Sequence, residues 1–148
     1  MQKKIVFKFL SLLTIFQLRF FRIKDQSMYP FIKDNQVVII NTSNYSKRNI
    51  KHGDVIVFKV SGRKINFIKR VVGVPNDKII ITYEGVEVNE KDFFQHHISG
   101  NYQLKSLYLS DGQYFVLADN RNISSMFDSR EMGAISFNDI LGKLVKII

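Results

Sequence analysis

From residue 36 onward, short apolar runs alternate with clusters of turn-forming residues. The runs are Gln36–Ile40, Val55–Val60, Ile65–Val74, Lys78–Thr82, Val86–Val88, Gln113–Ala118 and Gly142–Ile148. They are rich in Val, Ile, Phe and Tyr, residues that fit a pleated and half-buried surface, and each predicts a strand. The breaks between them, among them Lys51-His-Gly-Asp54, Pro75-Asn-Asp77 and Ser110-Asp-Gly112, supply the residue types that tight turns demand. Strands at this spacing predict a mainly β fold, an antiparallel sheet or small barrel, in preference to alternating βαβ units. One short helical stretch is expected near Asn138–Leu141. The least regular segment, Glu90–Leu109, is expected to form a peripheral excursion.

A different pattern occupies the amino-terminal segment. Ile5–Leu18 is a nearly continuous apolar run. As a helix it would be about 21 Å long at ~1.5 Å per residue, short against a hydrocarbon core of roughly 30 Å. On a helical wheel Lys4, Lys8, Ser11, Arg19 and Arg22 fall in one arc, with the phenylalanines and most leucines elsewhere. Two membrane-associated readings stay open: a helix lying in the interface, or a span with Lys8 and Arg19 reaching opposite headgroup layers. Residues 1–24 are thus expected to form a membrane anchor or interfacial helix, and residues 25–148 the β domain. A cleavable leader would need a small-x-small site, and none precedes Asp25.

Charge strengthens the membrane reading. Of the net +9, residues 1–24 contribute six Lys or Arg and no acid, so the remaining chain is only mildly basic. Basic residues interleaved with apolar ones suit an anionic membrane surface better than a nucleic acid. The length of 148 residues, 45% of them hydrophobic, suffices for one core and not for two. With no cysteine, disulfides, thiolate zinc sites and cysteine nucleophiles are excluded.

Any nucleophile must therefore be an oxygen or an amine. Ser27 lies in Asp25-Gln-Ser-Met-Tyr-Pro30, where the chain passes from the basic apolar segment into the β domain. Taken alone it reads as a turn or capping serine. Lys69 stands mid-strand, and at a period of two it shares a face with Ile65, Phe67, Val71 and Gly73. An amine held among aliphatic side chains loses hydration, which favours its neutral form and makes it a base. The competing readings are a lysine reaching solvent, or an ion pair with Asp119 or Asp128. A third cluster, Ala118-Asp-Asn-Arg-Asn-Ile-Ser-Ser-Met-Phe-Asp-Ser-Arg130, interleaves acids and arginines in the manner of a loop braced by charge-assisted hydrogen bonds. His52 and the His96–His97 pair have no acidic or histidine partners at ligand-like spacing, so no metal is expected.

In this order the three stretches resemble the conserved boxes of bacterial type I signal peptidases, membrane-bound serine/lysine proteases that remove signal peptides from exported proteins. Ser27-Met-Tyr-Pro resembles the nucleophile box, Gly53-Asp-Val-Ile-Val-Phe a strand box, and Lys69-Arg-Val-Val-Gly-Val-Pro-Asn-Asp77 the general-base box. Asp119-Asn-Arg, Asp128-Ser-Arg130, Gly133 and Ile140-Leu-Gly-Lys143 resemble the carboxy-terminal signature. The resemblance implies that Ser27 is the nucleophile, Lys69 the general base, and Ser124, Asp128 and Arg130 supporting residues, with no cofactor. It implies signal peptides of exported preproteins and a lipid membrane as partners, no nucleic acid, a monomer, and a catalytic domain on the extracytoplasmic side of the cell membrane. Three departures stand out: Asp25 where the family usually has Gly or Ser, Asn76 in place of a glycine, and a short region between 78 and 111 that implies a reduced second β region. The alternatives are a specialised peptidase for pilin or conjugation proteins, and a catalytically silent relative that binds signal peptides or membranes.

Overall fold

The computed structural model describes residues 17–95, 104–122 and 127–148. Its larger sheet runs in the order β1 (Leu18–Arg22), β2 (Val37–Asn41), β11 (Ile140–Ile147), β3 (Val55–Lys59), β4 (Asn66–Gly73), β9 (Gln113–Leu117) and β10 (Ile135–Ser136). The smaller runs β7 (Asp92–Gln95), β6 (Gly85–Val88), β5 (Lys78–Ile81) and β8 (Lys105–Tyr108). Every pairing is antiparallel. Two short helices, α1 (Asn44–Arg48) and α2 (Ser129–Met132), sit between strands.

The larger sheet is buried on both faces at its centre, which is why β3 reads as an unbroken apolar run. Ile56 and Phe58 pack with Phe67, Val71 and Val116 on one side. Val55 and Val57 pack with Met28, Ile32 and Ile68 on the other. A third cluster joins the sheets, with Ile79, Val86 and Leu109 of the smaller against Val72, Phe115 and Leu117 of the larger. Gly73 lies at this junction, where a Cβ would stand 2.7 Å from Ile79 Cδ1 and 2.9 Å from Leu109 Cδ1. Phe21 of β1 and Phe67 of β4, with three strands between them in the sheet order, line one groove, so the larger sheet curls toward a half-barrel.

All seven expected strands are present, with ends moved by no more than two residues. The fold is mainly β. Three regions differ from expectation. Leu18–Arg22, expected to close the amino-terminal helix, is a strand paired along its length with Val37–Asn41. Its sequence alternates well enough for either period, and the open edge of β2 decides in favour of the ladder. The rest of that helix expectation, residues 1–16, lies outside the described residues. Among the described residues no helix is long and apolar enough to cross a membrane. Near Asn138–Leu141 a single 3-10 turn forms at Phe137–Asp139, capped by Ser136, before Ile140 enters β11 and pairs with Phe58. The excursion at 90–109 supplies β7 and β8, the outer strands of the smaller sheet. Asn76, standing where the resemblance implies glycine, has a φ of 75°, a left-handed conformation that asparagine tolerates better than most residues.

Candidate active site

Ser27 is delivered by the turn that follows β1. Ile23, Met28 and Ile32 are buried under the sheet and anchor the turn on both sides of the serine. Asn120, just after β9, pins it from across the molecule: its backbone N–H donates to Ser27 O at 2.9 Å and its Nδ2 donates to Gln26 O at 3.2 Å.

Lys69 comes from the middle of β4, opposite Ile56 in the ladder with β3. Only 3% of it is exposed. Its Nζ donates to Ser27 Oγ at 2.8 Å and to Ile68 O at 3.0 Å. Loss of hydration pulls the amine below its ordinary 10.5, against the attraction of Asp25, Asp128 and Asp119 and with help from Arg130.

The ion-pair reading of Lys69 meets a specific obstacle, because each acid named for it is held by an arginine. Asp119 accepts from Arg70 Nε at 2.7 Å and Nη2 at 2.6 Å. Asp128 and Arg130 form a forked pair with 1% of each side chain exposed, Nη2 to Oδ2 being 2.7 Å. Asp128 also caps α2 through the backbone N–H of Arg130 and accepts the N–H of Ala118 at 3.2 Å. A buried charge pair persists when its remaining lone pairs find donors, and these do. The 128–130 segment is thereby fastened to β9, with Ser129 Oγ accepting the N–H of Val116 at 2.9 Å. Ser124 lies outside the described residues.

Asp25 makes the closest approach to the Ser27 hydroxyl. Its Oδ1 accepts the backbone N–H of Ser27 at 2.8 Å and the Ser27 hydroxyl at 2.6 Å.

Several site residues carried no local signal. Arg70 faces Asp119 from 49 positions away, and it also donates to Gly53 O and stacks on the Phe31 ring at 4.5 Å. Asn120 reaches Gln26 over 94 positions. His52, without an acidic partner at short spacing, meets Asp77 across 25 positions at 2.6 Å and locks the turn after β4. Among the described residues no three potential metal ligands converge.

A groove of about 320 Å³ runs up to this site, between Phe21–Asp25 on one side and Lys64–Ile68 on the other. Among the described residues both walls carry unpaired backbone: strand β1 pairs only with β2, and Asn66–Ile68 pair only with β3, because β9 joins β4 beyond them. Such edges accept an extended peptide as an added strand.

The family model for signal peptidase, peptidase S26, matches residues 3–148. Signal peptidase IB of Staphylococcus aureus is 33% identical, the match covering 84% of this chain and 74% of the staphylococcal one. A probable signal peptidase I-2 of Synechocystis is 32% identical over 82% of this chain and 58% of its own. Among solved structures, a signal peptidase I from Enterococcus faecalis V583 superposes with a TM-score of 0.50 at 22% identity, covering 66% of this chain and 97% of that one, a likeness of fold. The reach of the family model over nearly the whole sequence, together with that staphylococcal identity, shows that the chain belongs to the signal peptidase family, peptidase S26.

Proposed function

We propose that Ser27 and Lys69 are the catalytic pair with which this serine endopeptidase cleaves signal peptides from exported preproteins. The observation that carries the reading is the 2.8 Å contact between Lys69 Nζ and Ser27 Oγ, made by a buried amine that touches no carboxylate among the described residues. A lysine in that setting gives up its proton at a pH where an exposed one would not, and its lone pair then lies within reach of the hydroxyl.

The preprotein enters the groove in extended form and adds a strand between the free edges of β1 and β4, which sets its scissile carbonyl beside Ser27. Lys69 takes the hydroxyl proton as Oγ attacks, and the backbone N–H of Ser27 donates to the developing oxyanion. The ammonium so formed returns the proton to the departing amine. Water, activated by the same lysine, then hydrolyses the ester and frees the serine. Asp128, Arg130 and Asn120 act as positioning residues, bracing the segments on which the pair stands. The basic and apolar residues of 1–16 hold the protein to an anionic membrane on the extracytoplasmic side, where a lipid-borne signal peptide is met at raised effective concentration.

The test is cleavage of a purified preprotein, with the cut mapped by mass. Ser27→Ala and Lys69→Ala should each lower kcat/KM by roughly 10³-fold or more while the protein stays folded. Processing that survives either substitution would contradict the pair. A silent signal-peptide-binding relative would hold the preprotein and leave it whole.

A further inference from the structure

We propose that Asp25 is a positioning residue that keeps the resting site closed: its carboxylate occupies the place of the scissile carbonyl oxygen on the Ser27 amide and turns the Ser27 hydroxyl proton away from Lys69. This rests on Ser27 and Lys69 being the catalytic pair.

Hydrogen-bond accounting leads to it. The Ser27 hydroxyl has one proton, and at 2.6 Å it goes to Asp25 Oδ1. Lys69 Nζ, at 2.8 Å, is then the donor to Oγ, the reverse of what a general base requires. The Ser27 backbone has one N–H, and at 2.8 Å the same carboxylate oxygen takes it. A single negatively charged oxygen thus fills both positions that an approaching peptide carbonyl needs, much as the carboxylate of a bound product would. Cleavage begins only when Asp25 swings out and the substrate takes its place. The carboxylate is exposed, so the swing is open to it, and Lys24 and Lys64 line the groove beside it and offer cations to the displaced group.

Charge acts in the same sense. Among the described residues the groups that face Lys69 are Asp25 and Ser27 from the turn after β1, Asp128 and Arg130 at the start of α2, and Asp119 after β9 with its partner Arg70. Asp128 and Asp119 are each compensated by an arginine in contact. Among the described residues Asp25 has no such cation, and its attraction for the Lys69 ammonium is the first of the effects that oppose desolvation. Asp25 therefore hinders the loss of the proton that would make Lys69 a base.

An Asp accepting the N–H two residues on is also an ordinary turn device, which Asn and Ser can reproduce. Those two residues are the informative replacements. With the full chain and a model preprotein, kcat and KM are measured against pH for the wild type, Asp25→Asn and Asp25→Ser, alongside Ser27→Ala and Lys69→Ala. Asp25→Ser should raise kcat/KM about tenfold, the scale of one lost charge-assisted hydrogen bond. Both Asp25 variants should move the acid limb of the profile to lower pH, because a neutral side chain no longer favours the Lys69 ammonium. Asp25→Asn, which keeps an acceptor on the Ser27 amide and nearly the same shape, should fall between wild type and Asp25→Ser in kcat/KM. An acid limb that stays in place, or a kcat/KM at or below that of the wild type in both variants, would overturn the proposal and leave Asp25 as a turn-former. Cleavage surviving Ser27→Ala or Lys69→Ala would instead overturn the catalytic pair itself, and this role of Asp25 with it.

Discussion

Lys69 sits where an ammonium is costly. It is buried and hydrogen-bonded to one hydroxyl and one carbonyl, and two of the carboxylates near it, Asp119 and Asp128, are already committed to Arg70 and Arg130. Its proton affinity is depressed on folding, so between the folded and unfolded values the unfolded chain binds more protons and stability rises with pH. The penalty is complete below the folded value and vanishes as pH climbs to the ordinary 10.5. Lys69→Met, which fills the same space without a charge, should therefore stabilise the protein at neutral pH by about 1–3 kcal/mol. Urea unfolding followed from neutral to alkaline pH should show that advantage shrinking. An advantage that did not vary with pH, or a variant less stable throughout, would mean that the lysine carries no such penalty.

At the scale of elements, what the sequence disclosed depended on how local each signal was. The strand that carries Lys69 announces itself because Ile65–Val74 is apolar on both sides of the lysine, and the turn that carries Ser27 follows from its Tyr-Pro and from the end of the basic segment. Arg70–Asp119 and Asn120–Ser27 stayed hidden, since nothing within a strand's length of either partner points to the other. β8 was missed because three of its four side chains face solvent and its order comes from the backbone ladder with Ile79 and Ile80. β1 was missed because Leu18-Arg-Phe-Phe-Arg22 suits a helix wheel as readily as a ladder, and only the open edge of β2 selects between them. That selection separates two roles along the amino-terminal segment. A variant beginning at Gln17 keeps β1 and should unfold at nearly the temperature of the full chain; one beginning at Lys24 uncovers the edge of β2 and should unfold lower. In flotation with anionic vesicles the full chain should rise and both shortened forms should stay behind. Flotation of the Gln17 form equal to that of the full chain would place the membrane contact in the β domain instead.

For the whole molecule, the curl of the larger sheet has the largest consequence. It draws the free edge of β1 toward the free edge of β4, so that a groove with hydrogen-bonding backbone on two sides ends at the serine and the lysine. The loop after β9 and the start of α2 close the far side with two arginine–carboxylate pairs. The turn after β1 and the middle of β4, distant in sequence, meet at one hydroxyl, and the loop after β9 and the start of α2 brace them through contacts that do not depend on substrate. The central claim is that this assembly lowers the proton affinity of one buried amine, and the most direct measurement is an NMR titration of the lysine side chains in the full chain, with Lys69 assigned through Lys69→Met. The Lys69 resonance should titrate below the ordinary lysine value of 10.5, and its midpoint should respond to Asp25→Asn. A Lys69 that titrates at that ordinary value, in both the wild type and Asp25→Asn, would contradict the account.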